Sequence, residues 1–514
     1  MGALLILVKS GMHIPVVDIF AGPGGLGEGF SAYTAPRNAR HQPFKIAISA
    51  EMEVNAAKTL RLRAFYRQFA PGKAPTSYYD YVAGRAVAPW TDATESQWAA
   101  AGHEARQLKL GEPADDKELQ ARIREVAAEG DPWVLIGGPP CQAYSLVGRA
   151  RNRGVVGYKA EEDPRHFLYK HYLKILRNYS PAAFVMENVK GILSSKVGGE
   201  LMFPRILEDL RAPGGRNGPK YKILPLVEEQ NGLFDDEDGR RYILRAEELG
   251  VPQARHRVVL FGVREDVEIG SVRQIRRAAG QYGVGDVLAG MPKLRSGITN
   301  VEFDDWPAAA REVLRHAAEL SDDAKVSREL KDQAKLVESS DAGPGGRSMP
   351  KAASADSVPE HLKSWLLDQR LGHILNHEVR PHMWMDLVRY GYASAFTKIH
   401  GRAPRGSSEF PEAMHPNHEN WTSGKFVDRF KVQAWEHPSS TVTSHLSKDG
   451  HYFIHPDPAQ LRSLSVREAA RLQTFPDNYF FEGSRGAQFR QVGNAVPPWM
   501  ARQIADVVYS ALGS

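Results

Sequence analysis

Short apolar runs that stop at a glycine loop or a reactive side chain constrain this chain more than any other feature. Val16 to Phe20 is followed by AGPGGLGEGF, Lys45 to Ala50 ends at Glu51, Trp133 to Ile136 leads into GGPPCQAYS at 137–145, and Pro181 to Met186 ends at Glu187. Runs this short and this apolar read as buried strands. In open α/β sheets ligands bind in the crevice outside the carboxyl ends of the strands. Four strands that each deliver a polar or reactive group at that end describe a single crevice.

Cys141, in the third of these loops, is the only cysteine among 514 residues. That excludes a disulfide scaffold and a multi-cysteine zinc site, and no metal is expected; it also fits a reducing, cytoplasmic setting. A lone cysteine is commonly a small buried hydrophobe. Placed just past a strand, between Pro139-Pro140 and a polar segment, it is instead a candidate nucleophile. A net charge of +5 with a pI near 9.0 permits a nucleic-acid partner without requiring one. The apolar start, MGALLILVKS, is too short for a membrane span and lacks a basic flank, so residues 1 to 11 read as a dispensable extension.

Gly22, Gly24 and Gly27 have the spacing G-x-G-x-x-G, which lets a backbone turn tightly against a ligand. Taken alone it fits a dinucleotide site equally well, and Glu51 stands where such folds bind a ribose. Residues 93 to 130 read as one or two exposed helices inserted in the domain. Arg149, Arg151 and Arg153 lie between glycines in a basic loop. Period-two alternation puts Gln253, Arg255 and Arg257 on one face leading into the strand Val258 to Val263, where an ion-pair ladder is the plainer alternative. The Gly/Ser/Pro-rich run 338–350 reads as a disordered insertion. Residues 380 to 435 interleave aromatics with basic side chains, including Arg389, Lys398, Arg402 and Arg405, as a nucleic-acid surface does. Ser465-x-x-Glu468 forms a capping box opening a helix through Leu472, and Pro497-Pro498 start a final helix to about Leu512.

Together these pieces resemble the DNA (cytosine-5) methyltransferases of bacterial type. The matching segments occur in the family's order: DIFAGPGGLGEGF at 18–30, GGPPCQAYS at 137–145, DPRHFLYKHYLKIL at 163–176, MENVKGI at 186–192, QARHRV at 253–258, SVREAARLQTFPD at 465–477 and QVGNAVPP at 491–498. Seven in order make a dinucleotide-binding oxidoreductase untenable.

The resemblance implies a class I S-adenosylmethionine-dependent α/β fold. It implies a catalytic domain over 1–284, a DNA-recognition domain over 285–440, and a return to the catalytic domain over 441–514. It assigns Asp18, Phe20, Gly22, Gly24, Gly25, Glu51 and Asn494 to the cofactor. Cys141 becomes the nucleophile, Glu187 the partner of the cytosine ring nitrogen 3, Arg257 that of the carbonyl side, and Arg255 that of a phosphate or the active-site carboxylate. Gln142, Ser145, Arg149 and Arg151 would close over a flipped base, and Lys398, Arg402 and Arg405 would hold DNA. The family's acid after the third strand has only Asp80 as a weak counterpart. Carbon 5 of cytosine is a poor nucleophile, so a thiolate must first attack carbon 6. A carboxyl in a dry site can carry the proton that stabilises the product at nitrogen 3, and the base must leave the stack to be reached.

The implied substrate is a short specific duplex site, as in restriction-modification or phage defence. The chain would act as a monomer in the cytoplasm near the nucleoid, away from membranes, alongside a cognate endonuclease or defence proteins. Methylation of tRNA is the rival within the family, and the large basic region between the arginine strand and the capping-box helix favours DNA. A binding relative without chemistry is the rival outside it, and intact Cys141, Glu187, Arg255 and Arg257 argue against that.

Overall fold

The computed structural model describes residues 13–36, 38, 41–140, 168–197, 200–227, 238–270, 272–299, 305–337, 342–350, 356–417, 421 and 429–512. The expectations for residues 1–11, for Cys141, Gln142, Ser145 and for the loop arginines at 149, 151 and 153 lie outside the described residues. Among the described residues no helix is long and apolar enough to cross a membrane.

The centre is an eight-stranded sheet. Its strands are β1 (Ile14–Ile19), β2 (Phe44–Glu51), β3 (Ala105–Gln107), β4 (Val134–Gly137), β5 (Ala183–Val189), β6 (Tyr221–Leu224), β7 (Ile243–Arg245) and β8 (His256–Arg264). The order is β3-β2-β1-β4-β5-β8-β6, with β7 also on β8. β3, β2, β1, β4 and β5 run parallel, while β8 is antiparallel to β5, β6 and β7. The order reverses between β1 and β4, which opens a crevice at their carboxyl ends.

Strand alternation divides the core in two. Ile14, Val16, Val134, Ile136, Ala183 and Val185 face one layer, which holds the helix Gly25–Ser31 and the final helix Pro498–Ala511. Val17, Ile19, Leu135, Phe184 and Met186 face the other, with the helices Pro113–Ala128, Leu168–Tyr179 and Met202–Arg211. Both faces of every central strand are therefore covered, which is why the strands read as continuous apolar runs.

The span 93–130 holds the two expected helices, Glu95–Glu104 and Pro113–Ala128, and between them it also supplies an edge strand of the sheet. Helix Glu95–Glu104 runs straight into β3, whose Gln107 pairs in register with Glu51. β3 escapes an apolar-run criterion because it has three residues, two of them Arg106 and Gln107, at the sheet edge. The run 338–350 is likewise not wholly irregular. Gly345–Pro350 forms a strand antiparallel to His373–Glu378, an order supplied by the partner strand rather than by its own composition.

A further core gathers around the helices Trp306–Leu320, Ala324–Leu336 and Trp384–His400, and it corrects the reading of 380–435 as an exposed aromatic surface. Tyr390, Phe410, Trp421 and Phe430 are buried and pack edge to face, and buried Arg389 binds Asp386 at 2.8 Å. The capping box is present, with Ser465 Oγ accepting from the Glu468 N–H and the Glu468 carboxylate accepting from the Ser465 N–H.

Candidate active site

A cavity of about 460 Å³ opens at the carboxyl ends of β1, β2, β4 and β5. Its walls come from the segments that the sequence singles out: Phe20 and Gly22, Glu51, Gly138 to Pro140, Glu187, Arg255 with Arg257, and Asn494.

The glycine loop turns immediately after β1. Phe20 adopts φ 55, the left-handed region that costs a non-glycine residue on the order of 1 kcal/mol, and its ring lines the cavity. Gly24 starts the following helix at φ 96. A Cβ on Gly24 would stand 2.8 Å from Leu60 and 3.0 Å from the Tyr479 hydroxyl, so it shapes the loop from behind rather than lining the cavity. A Cβ on Gly25 would run into the Val496 carbonyl. The Tyr479 hydroxyl donates to the Pro23 carbonyl, a support for the loop that motif reading missed.

Asp18 lies under this loop, with neither oxygen hydrogen-bonded among the described residues and a Gly27 Cβ position 3.0 Å away. Burial pushes its carboxyl well above the usual range, which favours the neutral acid. It does not line the cavity. Glu51 does, with its carboxylate aimed by two backbone donors: Oε2 accepts from Gly22 N–H and Oε1 from Glu53 N–H, both at 2.8 Å. Burial raises its pKa, and these backbone N–H groups pull in the other direction.

Asp80 is not the missing acid. It sits in the helix Thr76–Val82, bound to Arg85 at 2.8 Å and away from the cavity. The residue level with Glu51 on the third strand is Gln107, which donates to the Met52 carbonyl at 3.3 Å. Apolar Leu108 and Leu110 line the wall beyond it.

On the opposite wall, Arg257 Nε stands 2.7 Å from Glu187 Oε1. A Cβ on Gly138 would meet Glu187 Oε2 at 2.9 Å, so the glycine gives that carboxylate its space. Asn188 donates to the Pro139 carbonyl at 3.1 Å and fixes the loop that leads to Cys141.

Arg255 departs from its expected phosphate or carboxylate contact. It is 1 % exposed and donates to the carbonyls of Val442 at 2.7 Å and Gly493 at 3.1 Å. Burial, with Arg257 close by, lowers its pKa well below the usual guanidinium range. Gln253 is also buried, donating to Leu472 O and accepting from Val442 N–H. Gln253 and Arg255 therefore tie the C-terminal segment to the sheet, while only Arg257 of the three meets Glu187.

Helix Arg485–Asn494 turns Ala487, Arg490, Gln491 and Asn494 toward the cavity, a one-face helical spacing. Arg490 is exposed and has no hydrogen bond or ion pair among the described residues; its position three residues before Gly493-Asn494 was the overlooked signal. Lys398 and Arg402 lie elsewhere and are engaged, Lys398 with Glu329 at 2.7 Å and Arg402 with both oxygens of Glu409 at 2.7 Å. The backbone N–H of Arg405 also binds Glu409.

The model of the C-5 cytosine-specific DNA methylase family matches residues 109–338 and 350–510. A type II methyltransferase of Bacillus paralicheniformis is 32% identical, covering 96% of this chain and 99% of that protein. The type II methyltransferase M.AgeI of Thalassovita gelatinovora is 27% identical over 96% and 99%. M.ApeKI of Aeropyrum pernix, named a DNA (cytosine-5-)-methyltransferase, is 28% identical over 74% and 82%. A crystal structure of a prophage-encoded DNA modification methyltransferase from E. coli superposes with TM-score 0.52 at 18% identity, covering 97% and 99%, which speaks for the fold. With the pocket and its motif residues at the sheet's switch point, this chain belongs to the C-5 cytosine-specific DNA methylase family, the DNA (cytosine-5-)-methyltransferases.

Proposed function

We propose that this enzyme methylates carbon 5 of a flipped-out cytosine within a specific duplex DNA site, through a covalent bond to Cys141. The observation that carries the reading is one cavity with two differently equipped walls: Glu51 and the glycine loop on one, the Glu187–Arg257 pair beside the Pro139-Pro140 loop on the other. The first wall fits S-adenosylmethionine. Glu51 presents a pre-aimed acceptor for ribose hydroxyls, Phe20 and Leu108 offer apolar surface, and Asn494 a neutral polar group. When bound, that cofactor supplies a methyl group on a positively charged sulfur.

On the second wall, Glu187 would hydrogen-bond nitrogen 3 and Arg257 the neighbouring carbonyl oxygen, holding the ring edge-on. The Cys141 thiolate would form the sulfur–carbon 6 bond as Glu187 gives a proton to nitrogen 3, and the electron pair this places on carbon 5 would take the methyl group, whose bond to the cofactor's sulfur breaks as the new carbon–carbon bond forms. Loss of the carbon 5 proton to a solvent base would then break the sulfur–carbon 6 bond and free the thiolate, and nitrogen 3 would return its proton to Glu187. Asp18 and Gly24 support the cofactor loop from below, and Arg255 positions Gly493-Asn494. Residues 285–440 would read the duplex, Gln142, Ser145, Arg149 and Arg151 would close over the extruded base, and of Lys398, Arg402 and Arg405 the last would meet a backbone phosphate, the first two being held by Glu329 and Glu409. Names of relatives as type II methyltransferases support a restriction-modification setting; a cognate endonuclease, a cytoplasmic location and a monomeric state are part of the same proposal.

The test is labelled methyl transfer onto mixed-sequence duplexes, followed by bisulfite sequencing of DNA from a methylation-free host. Methylcytosine at one recurrent sequence is expected. Cys141→Ser should drop transfer to background while cofactor binding stays within about twofold, since a hydroxyl is a far weaker nucleophile near neutral pH. Substantial turnover by the serine variant would overturn the covalent route.

A further inference from the structure

The helix Gly25–Ser31 starts at the active-site loop, and the segment that follows it, Tyr33 to Pro36, forms one side of a second and larger cavity, about 1140 Å³. The other sides are the segment Arg273–Arg277 and the outer face of the final helix at Arg502, Gln503 and Asp506. Among the described residues, four arginines and one carboxylate line it. Asp506 is already committed, accepting from the Tyr33 hydroxyl at 2.6 Å and lying 3.2 Å from Arg273. Arg277 lies 3.3 Å from Glu248. Arg276 and Arg502 have no hydrogen bond or ion pair among the described residues.

These cations are held in place. Ile275 N–H donates to Leu226 O at 2.8 Å and Arg273 N–H to Ser510 Oγ at 2.9 Å, which pins the backbone of the arginine segment. Arg502 stands 5.3 Å over the Trp499 ring, and burial lowers its pKa. Arg502 is half-buried, and the carboxylate beside it, Asp506, is already shared with Tyr33 and Arg273, so an anion that enters offsets the cost of its desolvation, while Arg276 is exposed at the rim. Between the arginines, Tyr33, Val227 and Ile275 give the cavity apolar wall. Guanidinium groups beside apolar surface suit a ligand with phosphates at one end and a flat ring at the other.

We propose that this cavity binds a nucleoside polyphosphate, its phosphates on Arg276 and Arg502, at a site separate from the methyl-transfer pocket. Adenosine triphosphate is the probe, titrated into the full-length protein by calorimetry with Trp fluorescence alongside, in the presence of saturating S-adenosylhomocysteine to block the other pocket. Saturable one-to-one binding is expected, with inorganic tripolyphosphate binding more weakly and adenosine not at all. Arg276→Ala, an exposed change that leaves the fold alone, and Arg502→Ala should each weaken binding by about tenfold, the worth of one charge-assisted hydrogen bond. Unchanged affinity in Arg276→Ala overturns the proposal, as does titration of triphosphate only when S-adenosylhomocysteine is left out. Binding of a short duplex that is weakened by Arg276→Ala, with no binding of the free nucleotide, would overturn the proposal and reassign the cavity to DNA backbone.

Discussion

The active-site edge of the sheet and the region around the helix Trp384–His400 carry similar side chains and use them in opposite ways. At the sheet edge, Glu51, Glu187 and Arg257 face a shared cavity, and Arg490 at its rim has no partner among the described residues. Around the long helix, Lys398, Arg402 and Arg389 turn to Glu329, Glu409 and Asp386 of the same region, and the aromatics pack into its core. Polar residues at the carboxyl ends of parallel strands cannot satisfy one another along the chain, so they converge on a cavity. Polar residues on helices find partners one turn away or on the helix beside them.

The sharpest way to break this contrast is at Glu187. Glu187→Gln keeps the shape and removes the ionisable group, and transfer should fall by about 10²–10⁴-fold, the range for a positioned proton donor. Single-turnover rates should carry the loss while cofactor affinity stays level. An equal loss in cofactor affinity would mean that the two walls do not act separately.

Next in size is Glu468, fully buried with both oxygens 2.7 Å from Arg462. Burial alone would raise its pKa, but Arg462 holds the carboxyl well below the usual range. That depressed value stabilises the fold fully above the unfolded carboxylate pKa of about 4.3, and the contribution is lost as pH falls toward the folded value. Glu468→Gln strands a buried cation and should cost about 3–5 kcal/mol at pH 7. The variant's melting curve should also depend less on pH below 4; an unaltered acid limb would contradict the pairing.

Arg255 separates joining from chemistry. Arg255→Met leaves two buried carbonyls unsatisfied, at about 1–3 kcal/mol each. Because one belongs to Gly493, cofactor affinity should drop together with melting temperature. A loss of DNA binding alone would restore the phosphate contact that the sequence suggests. The smallest effect is expected from replacing Lys398, Arg402 and Arg405 together with alanine. Each phosphate left without its cation would lower the salt slope by about 0.9, and two of the three charges already face carboxylates. The slope of log affinity against log salt should therefore fall by about one or less, and a fall near three would make this face a principal DNA-binding surface.

Legibility in the sequence followed the same division. Strands β1, β2, β4 and β5 and the residues at their ends could be read because burial on both faces leaves an unbroken apolar run and a sharp stop. β3 could not, since three residues at an edge carry no such run, and with it went the identity of Gln107 as the residue level with Glu51. The capping box and final helix were legible from local backbone chemistry alone. Gln253 has the kind of polar partner its position calls for, whereas the partners of Arg255 are not legible, because a long-range bond to the Val442 carbonyl leaves no mark in neighbouring residues. Basic and aromatic composition over 380–435 said that arginines and rings were present, and it could not say that the rings faced inward.

The Arg255 bond to Gly493 and the packing of the first helix on the last have a consequence for synthesis. Residues are added at about 5–20 per second, so the β8 arginines leave the ribosome roughly 10–50 seconds before Asn494 exists. Until then the glycine-loop helix lacks its cover, since Ala501 lies against Gly29 and Val496 against Gly25. A nascent chain therefore has neither the Asn494 side of the cavity nor a closed core, and every premature stop upstream of the final helix leaves the first helix with its packing face uncovered.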